Sequence, residues 1–349
     1  MLSRVCLFFA LLGLLAARPA LGQRLYRIQH FSNNYYGNVW LAKPSGVFDS
    51  GWVAVYDKAT NKLLLKVSSD ELAVGVTDSQ VKAGVYELPY NEQSVIRYAD
   101  FNFDGRKDFA LEDGQTNCGP SFRVYLAQGS RFVFSEAFTA LAQEGCGLFG
   151  VDKLHQRLFT ESRSGCCWHE VNEYVVRRNL PMLVKWVQEE STSEPFIKTH
   201  TNTWNGRSMD SDFAVTLESG MDVFSFRLAG SGKKLVLFSD GEKLGYALLT
   251  PAGRVEFNYP TFFSDGKPGD FTLDLGSPTK TLLFKNGNTQ YLLSEDALNP
   301  SAPSQGITVV TPTKTLLLPG RPGTGRGSLA RLATLKLANV TILPIAGRK

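Results

Sequence analysis

The chain has 349 residues, 43% hydrophobic and 20% charged, the balance of a folding chain long enough for two domains. Its formal charge is +4, and falls to +2 if Arg4 and Arg18 leave with an N-terminal leader, which excludes the clustered basic footprint of a nucleic-acid binder. Neither an H-E-x-x-H nor a G-x-S-x-G motif occurs, so two common hydrolase signatures are absent.

The first residues read as a secretory signal. A basic start at Arg4 precedes an apolar run over residues 5–17, and Ala20 and Gly22 supply the small residues that a signal peptidase reads. Residues 1–22 are therefore expected to be removed, leaving Gln23 as the mature start. The run falls short of the roughly 20 residues that a spanning helix needs, so no stable membrane insertion is expected after cleavage. The expected location is periplasmic or secreted. In such a compartment the remaining cysteines, Cys118, Cys146, Cys166 and Cys167, are expected to form disulfides. Cys166 and Cys167 are neighbours and would close a strained ring together. The expectation is that each reaches back, one to Cys118 and one to Cys146, in an order left open.

Most of the chain reads as strands joined by tight turns, an all-β protein. Residues 52–56 and 62–67 flank a turn-rich connection. Residues 235–239 and 242–249 flank Asp240-Gly241, and residues 281–285 and 288–293 flank Asn286-Gly287, two turn pairs that match strand twist. Residues 136–144 read as a two-turn helix, and residues 181–188 as a short helix or a strand. The polar stretch 189–195 reads as a linker, dividing a domain over 23–190 from one over 196–349. A Pro/Ser-rich loop is expected over 299–306. The glycines of residues 320–327 lack the Gly-Lys-Ser/Thr ending of a phosphate loop and read as a plain loop.

The chemically richest stretch is YADFNFDGRKDFA, residues 98–110. Asp100, Asn102, Asp104 and Asp108 stand at positions 1, 3, 5 and 9 of a loop with Gly105 at position 6. Calcium takes six to eight hard oxygens from a loop that curls around it, with glycine at the sharp turn and a backbone carbonyl at position 7, here that of Arg106. The bidentate Glu that ends an EF-hand loop is replaced by Leu111, so Asp108 must finish the shell, with Glu112 or Asp113 and water as further donors. The plain alternative is a solvated Asp/Asn-Gly turn. Four oxygen donors and a glycine in register favour structural Ca2+, bracing two β segments.

No catalytic constellation emerges, and the expectation is that the protein is not an enzyme. Cys167 beside Trp168 and His169 is the one tempting nucleophile, but a disulfide is the better reading in this compartment. Zinc held by Cys118, Cys146, Cys166 and His169 matches no common spacing. Glu112 and Asp113 offer two carboxyls, though sequence alone does not set them across a sugar.

Read in order, residues 90–96, the acidic loop, GPSFRVYL (119–126), residues 138–147 and SGCCWH (164–169) resemble a bacterial exported family. Its type members are calcium-binding periplasmic immunity proteins that inhibit peptidoglycan hydrolases. The resemblance covers roughly residues 50–180. It implies an N-terminal antiparallel β-sandwich or propeller-like domain similar to periplasmic lysozyme inhibitors, followed by a second β-rich domain. It also implies calcium on Asp100, Asn102, Asp104, Asp108 and the Arg106 carbonyl, and a protein partner, a cell-wall hydrolase whose cleft is blocked. The alternative is an envelope binding or adhesion module that recognises a glycan or a surface protein. For a partner-binding surface, Tyr35, Tyr36 and Tyr90 are candidates, because tyrosine is an efficient interface anchor.

Overall fold

The computed structural model describes residues 24–44, 47–76, 79–82, 84–191, 194–276, 279–296 and 304–344. The expected signal segment lies outside them. The protein is all-β, as its sequence indicates, and built of several largely antiparallel sheets. The chain divides into two compact units, one of residues 1–162 with 173–183, the other of residues 163–172 with 184–349.

The first unit opens with β1 (Arg24–Ile28), β2 (Tyr35–Leu41), β3 (Asp49–Asp57), β4 (Leu63–Leu72), β5 (Gln80–Lys82) and β6 (Val85–Leu88). They form one sheet in the order β4-β3-β2-β1-β6-β5, antiparallel except where β1 runs parallel to β6. A second sheet, β10-β9-β8-β7, is built from β7 (Ile96–Ala99), β8 (Asp108–Gln115), β9 (Pro120–Gln128) and β10 (Arg131–Phe134). Helix α1 (Glu136–Glu144) follows, as the sequence predicts. Its start is set by Ser135, whose hydroxyl accepts from the Phe138 N–H and satisfies one of the first-turn donors. β11 (Gly150–Asp152) pairs with β12 (Arg157–Ser164).

Side-chain alternation along β8 serves two cores. Phe109 and Leu111 pack with Ile28, Val39, Val53 and Ile96. Ala110 packs on the other side with Phe122, Val124, Leu126 and the α1 residues Phe138 and Leu141. A strand buried on both faces carries a continuous apolar run in place of alternation, and residues 109–111 have one.

β13 (Trp168–Arg177) and β14 (Leu180–Ser191), like β12, carry residues of both units. Residues 181–188, readable as helix or strand, are strand. The expected linker is also strand as far as Ser191. β15 (Phe196–Trp204) pairs with β14 through Glu189↔Thr199, Glu190↔Lys198 and Ser191↔Ile197. Opposite charges set across the ladder at Glu190 and Lys198 favour pairing over a loop. Residues 189–191 are therefore strand and not a loop; Thr192 and Ser193 are outside the described residues.

The second unit continues with β16 (Met209–Leu217), β17 (Asp222–Arg227), β18 (Lys234–Ser239), β19 (Leu244–Leu249), β20 (Val255–Tyr259), β21 (Phe271–Asp274), β22 (Thr279–Asn286), β23 (Thr289–Asp296), β24 (Ser304–Val310), β25 (Thr315–Pro319), β26 (Arg326–Gly327), the short helix α2 (Leu329–Leu332) and β27 (Val340–Ile342). Two sheets, β20-β19-β18-β17-β26 and β25-β24-β23-β22-β21-β27, share an apolar core of Phe224, Phe226, Leu235, Leu237, Tyr246, Phe271 and Phe284. Both Gly-containing hairpins form as predicted, β18 with β19 and β22 with β23. The expected loop over 299–306 ends early: Ser304, Gln305 and Gly306 pair with Asp296, Glu295 and Ser294. Residues 299–303 are outside the described residues.

Phe284 is the hub of this core, its ring contacting those of Tyr246, Tyr259, Phe271 and Tyr291 with centroids 4.7 to 5.4 Å away. Phe284→Ala should lower the unfolding free energy of the protein by about 3–5 kcal/mol, read from urea denaturation.

Candidate functional site

The acidic loop connects β7 to β8, so it joins strands, as its flanks require. Phe103 and Gly105 take left-handed backbone angles, φ 61° and 85°, and curl the chain so that its N–H groups point inward. The Asp100 carboxylate accepts from the N–H groups of Asp104 (3.2 Å) and Gly105 (2.9 Å). Asp104 accepts from the Arg106 N–H at 2.8 Å and from the Asn102 amide at 3.1 Å. That amide also donates to Asn179, which anchors the loop to the turn between β13 and β14.

Asp108 plays a different part. It is fully buried, and its two oxygens accept from the N–H groups of Phe101 and Ala127, each at 2.8 Å. Burial pushes its pKa up to about 6, the two backbone bonds oppose that rise, and the Asp104 and Asp100 carboxylates add to it. The loop thus gathers Asp100, Asp104 and Asp108 within electrostatic reach of one another. Among the described residues no three His, Cys, Asp or Glu side chains are drawn together as a metal cluster. Glu112 and Asp113 do not join the loop. Asp113 accepts from Ser121, Arg123 and Gln143, while Glu112 accepts from the Ala73 N–H and Gln115.

All four cysteines are paired, but not as expected. Cys118 is joined to Cys146, their Cα atoms 4.8 Å apart, and Cys166 is joined to its neighbour Cys167. Gly119 explains the first pair: a Cβ there would stand 2.8 Å from the Cys146 carbonyl oxygen, so only glycine lets the two backbones approach. The second pair occupies the exposed turn between β12 and β13. With every one of the four bonded to another, neither a zinc site on them nor a Cys167 nucleophile exists in this state. His169 contacts the Cys166 carbonyl at 3.3 Å.

The candidate tyrosines have separate settings. Tyr35 is partly buried against the core, its ring against Tyr98, Phe109 and Phe132. Tyr36 stacks on Tyr56 and donates to Asn61 at 3.2 Å. Tyr90 is 36% exposed, rests on Phe31 and accepts from the Tyr98 N–H.

A feature not singled out in the sequence is a cavity of about 460 Å3 in the first unit, with Arg97 and Glu112 among its lining residues. The register Arg97↔Ala110 puts Arg97 on the β7–β8 face that carries Ala110 and Glu112. Glu112 is only 2% exposed, and burial pushes its pKa up to about 7, with Asp113 adding to the rise and Arg97 opposing it. The available signal was an acid in register with inward-facing Ala110, directly after the apolar run of residues 109–111.

No family model matches the chain, and no curated protein matches it. Among solved structures it is similar to a type IV secretion system related protein of Xanthomonas, at 21% identity over 53% of this chain and 92% of that one, TM-score 0.42. It is also similar to prolyl oligopeptidase B of Galerina marginata, at 8% identity over 80% of this chain and 46% of that one, TM-score 0.23. The chain thus spans under half the length of the oligopeptidase. Likenesses at these levels assign neither an activity nor a partner. Among the described residues no helix is long and apolar enough to cross a membrane, and the two disulfides fit an oxidising, extracytoplasmic location.

Two outcomes follow from this geometry. Glu112 holds its proton to higher pH in the native state than in the unfolded chain, so its contribution is most favourable below about pH 4.5 and is lost as pH rises toward 7. Urea unfolding across that window should show a stability loss of up to about 3 kcal/mol that Glu112→Gln removes. Asp108 has the same sign and leaves a residual slope in both proteins. Replacing Cys118 and Cys146 together by serine should cost about 2–4 kcal/mol in the same assay, because their bond closes a loop 28 residues apart in sequence.

Proposed function

We propose that the protein is an exported binding protein, braced by calcium, that inhibits a peptidoglycan hydrolase by occluding its cleft. The observation that supports the calcium part is the curled loop over 100–108, whose inward N–H groups are bound by Asp100 and Asp104 while Asp108 is buried at its end. The residues fit a hard cation. The side chains of Asp100, Asn102, Asp104 and Asp108 and the Arg106 carbonyl would hold it, all oxygen donors. Each Asp108 oxygen keeps a lone pair beyond the one that its backbone bond uses. A bound divalent ion would supply the charge that offsets mutual repulsion among Asp100, Asp104 and Asp108. This chain's own residues fix the loop: Asp108 ties it to β9, and Asn102 ties it to Asn179.

The inhibitor part is supported by the ordered run of segments from residue 90 to 169 that resembles the immunity family. Two disulfides and the leader-like N-terminus agree with an exported protein. In this reading the loop is a brace, and recognition falls to surfaces that it holds in place.

Thermal unfolding in calcium against chelator should show a higher Tm with calcium, and Asp104→Asn should abolish the difference; an unchanged Tm in the wild type removes calcium from the reading. Purified calcium-loaded protein should slow at least one enzyme in a panel of exported peptidoglycan hydrolases, and Asp104→Asn should weaken that inhibition. A panel wholly unaffected overturns the inhibitor reading while leaving the calcium result standing.

A further inference from the structure

The cavity of about 460 Å3 in the first unit is of the size that small ligands and short peptide segments occupy. Its apolar walls include Leu88, Val95, Phe122 and Leu148. Two charged side chains interrupt them. Arg97 Nε is buried with no hydrogen-bond acceptor among the described residues, and its Nη1 reaches only the Asn91 carbonyl, at 3.3 Å. A buried N–H of a charged group left without an acceptor is a standing cost, and an incoming acceptor would relieve it.

Glu112 presents the complementary half. Its Oε1 is engaged by the Ala73 N–H at 2.7 Å and by Gln115 at 3.0 Å, whereas nothing among the described residues hydrogen-bonds Oε2. Arg97 and Glu112 line one cavity, yet among the described residues no ion pair joins them. A buried carboxyl and a half-buried guanidinium whose Nε is buried, not spent on each other, leave a place for a group that accepts at one end and donates at the other.

The charge balance selects among such groups. An anion brought to Arg97 would also meet Glu112 and, nearer the mouth, Glu92; a cation brought to Glu112 would meet Arg97. A neutral amide suits both, its carbonyl on the guanidinium and its N–H on the carboxyl. A sugar would need several further donors and acceptors, while the walls offer contact to an apolar side chain. We propose that this cavity binds an extended peptide segment of a partner protein, one backbone amide bridging Arg97 Nε and Glu112 while an apolar side chain fills the space between Leu88, Val95 and Leu148. The Cys118–Cys146 bond holds one wall, since Cys146 and Gly147 line the same cavity. This reading stands independently of calcium and of hydrolase inhibition.

The test is a titration of the full-length mature protein with the blocked tripeptide N-acetyl-Ala-Leu-Ala-amide, followed by NMR, with N-acetylglucosamine as a second arm. Saturable shifts at Val95, Arg97, Glu112 and Leu148 are expected for the peptide and not for the sugar. Arg97→Met and Glu112→Gln should each weaken binding about tenfold or more, the size of one lost hydrogen bond to a charged group. Should Arg97→Met fail to fold, Arg97→Lys keeps the charge, removes Nε and is expected to weaken binding likewise. No saturable shift at millimolar peptide, unchanged affinity in folded Arg97 variants, or shifts from the sugar alone would each overturn the proposal.

Discussion

The buried Asp108 carboxylate is where the order of the first unit begins. It stands at the first residue of β8 and accepts one backbone N–H from the acidic loop and one from the far end of β9. Those two bonds fix the point at which side-chain alternation along β8 starts. From there Phe109 and Leu111 go to one core, and Ala110 goes to the other with Glu112 in register. A slip of one residue would exchange the two sets, placing a carboxyl in an apolar core and Phe109 where Ala110 now fits. Both the loop's position and the cavity's charged lining thus descend from one carboxylate that touches no solvent. The same burial raises its proton affinity, so the anchor contributes most at low pH and loses part of that contribution as pH rises through about 6.

Local chemistry made much of this fold legible. Asp240-Gly241 and Asn286-Gly287 announce hairpins because few residue pairs tolerate those turns, and both hairpins form. The helix over residues 136–144 starts where Ser135 can cap it. What failed was non-local. Glu189, Glu190 and Ser191 look like linker by composition, and their strand state depends on partners in β15 that composition does not reveal. The cysteine pairing failed similarly: the approach of Cys118 to Cys146 depends on backbone proximity that Gly119 permits, whereas ring strain argued against the Cys166–Cys167 bond. Arg97 carried no motif. Its interest comes from its register against Ala110 and from an unsatisfied Nε, neither of which has a sequence signature.

The second unit repeats in β18 the two-faced burial of β8. Residues 235–238 of β18 are buried on both faces, Leu235 and Leu237 in the larger core and Val236 and Phe238 against Phe196 and Phe263. Two of its buried polar groups, Asn339 and Glu295, are spent on architecture. Asn339 makes a two-way bond with the Leu244 backbone, and Glu295 receives Ser328 and the Leu329 N–H at the start of α2. Satisfied groups of that kind stiffen a core and leave no free valence for a ligand, in contrast to the Arg97 and Glu112 pair.

The two disulfides differ in what they restrain. Cys118–Cys146 ties distant segments, while Cys166–Cys167 closes a ring around one peptide bond at an exposed turn. Chain-entropy restraint grows with the loop enclosed, so the vicinal bond holds almost nothing of the unfolded chain in place. It therefore restrains little beyond its own turn, which lies open to solvent.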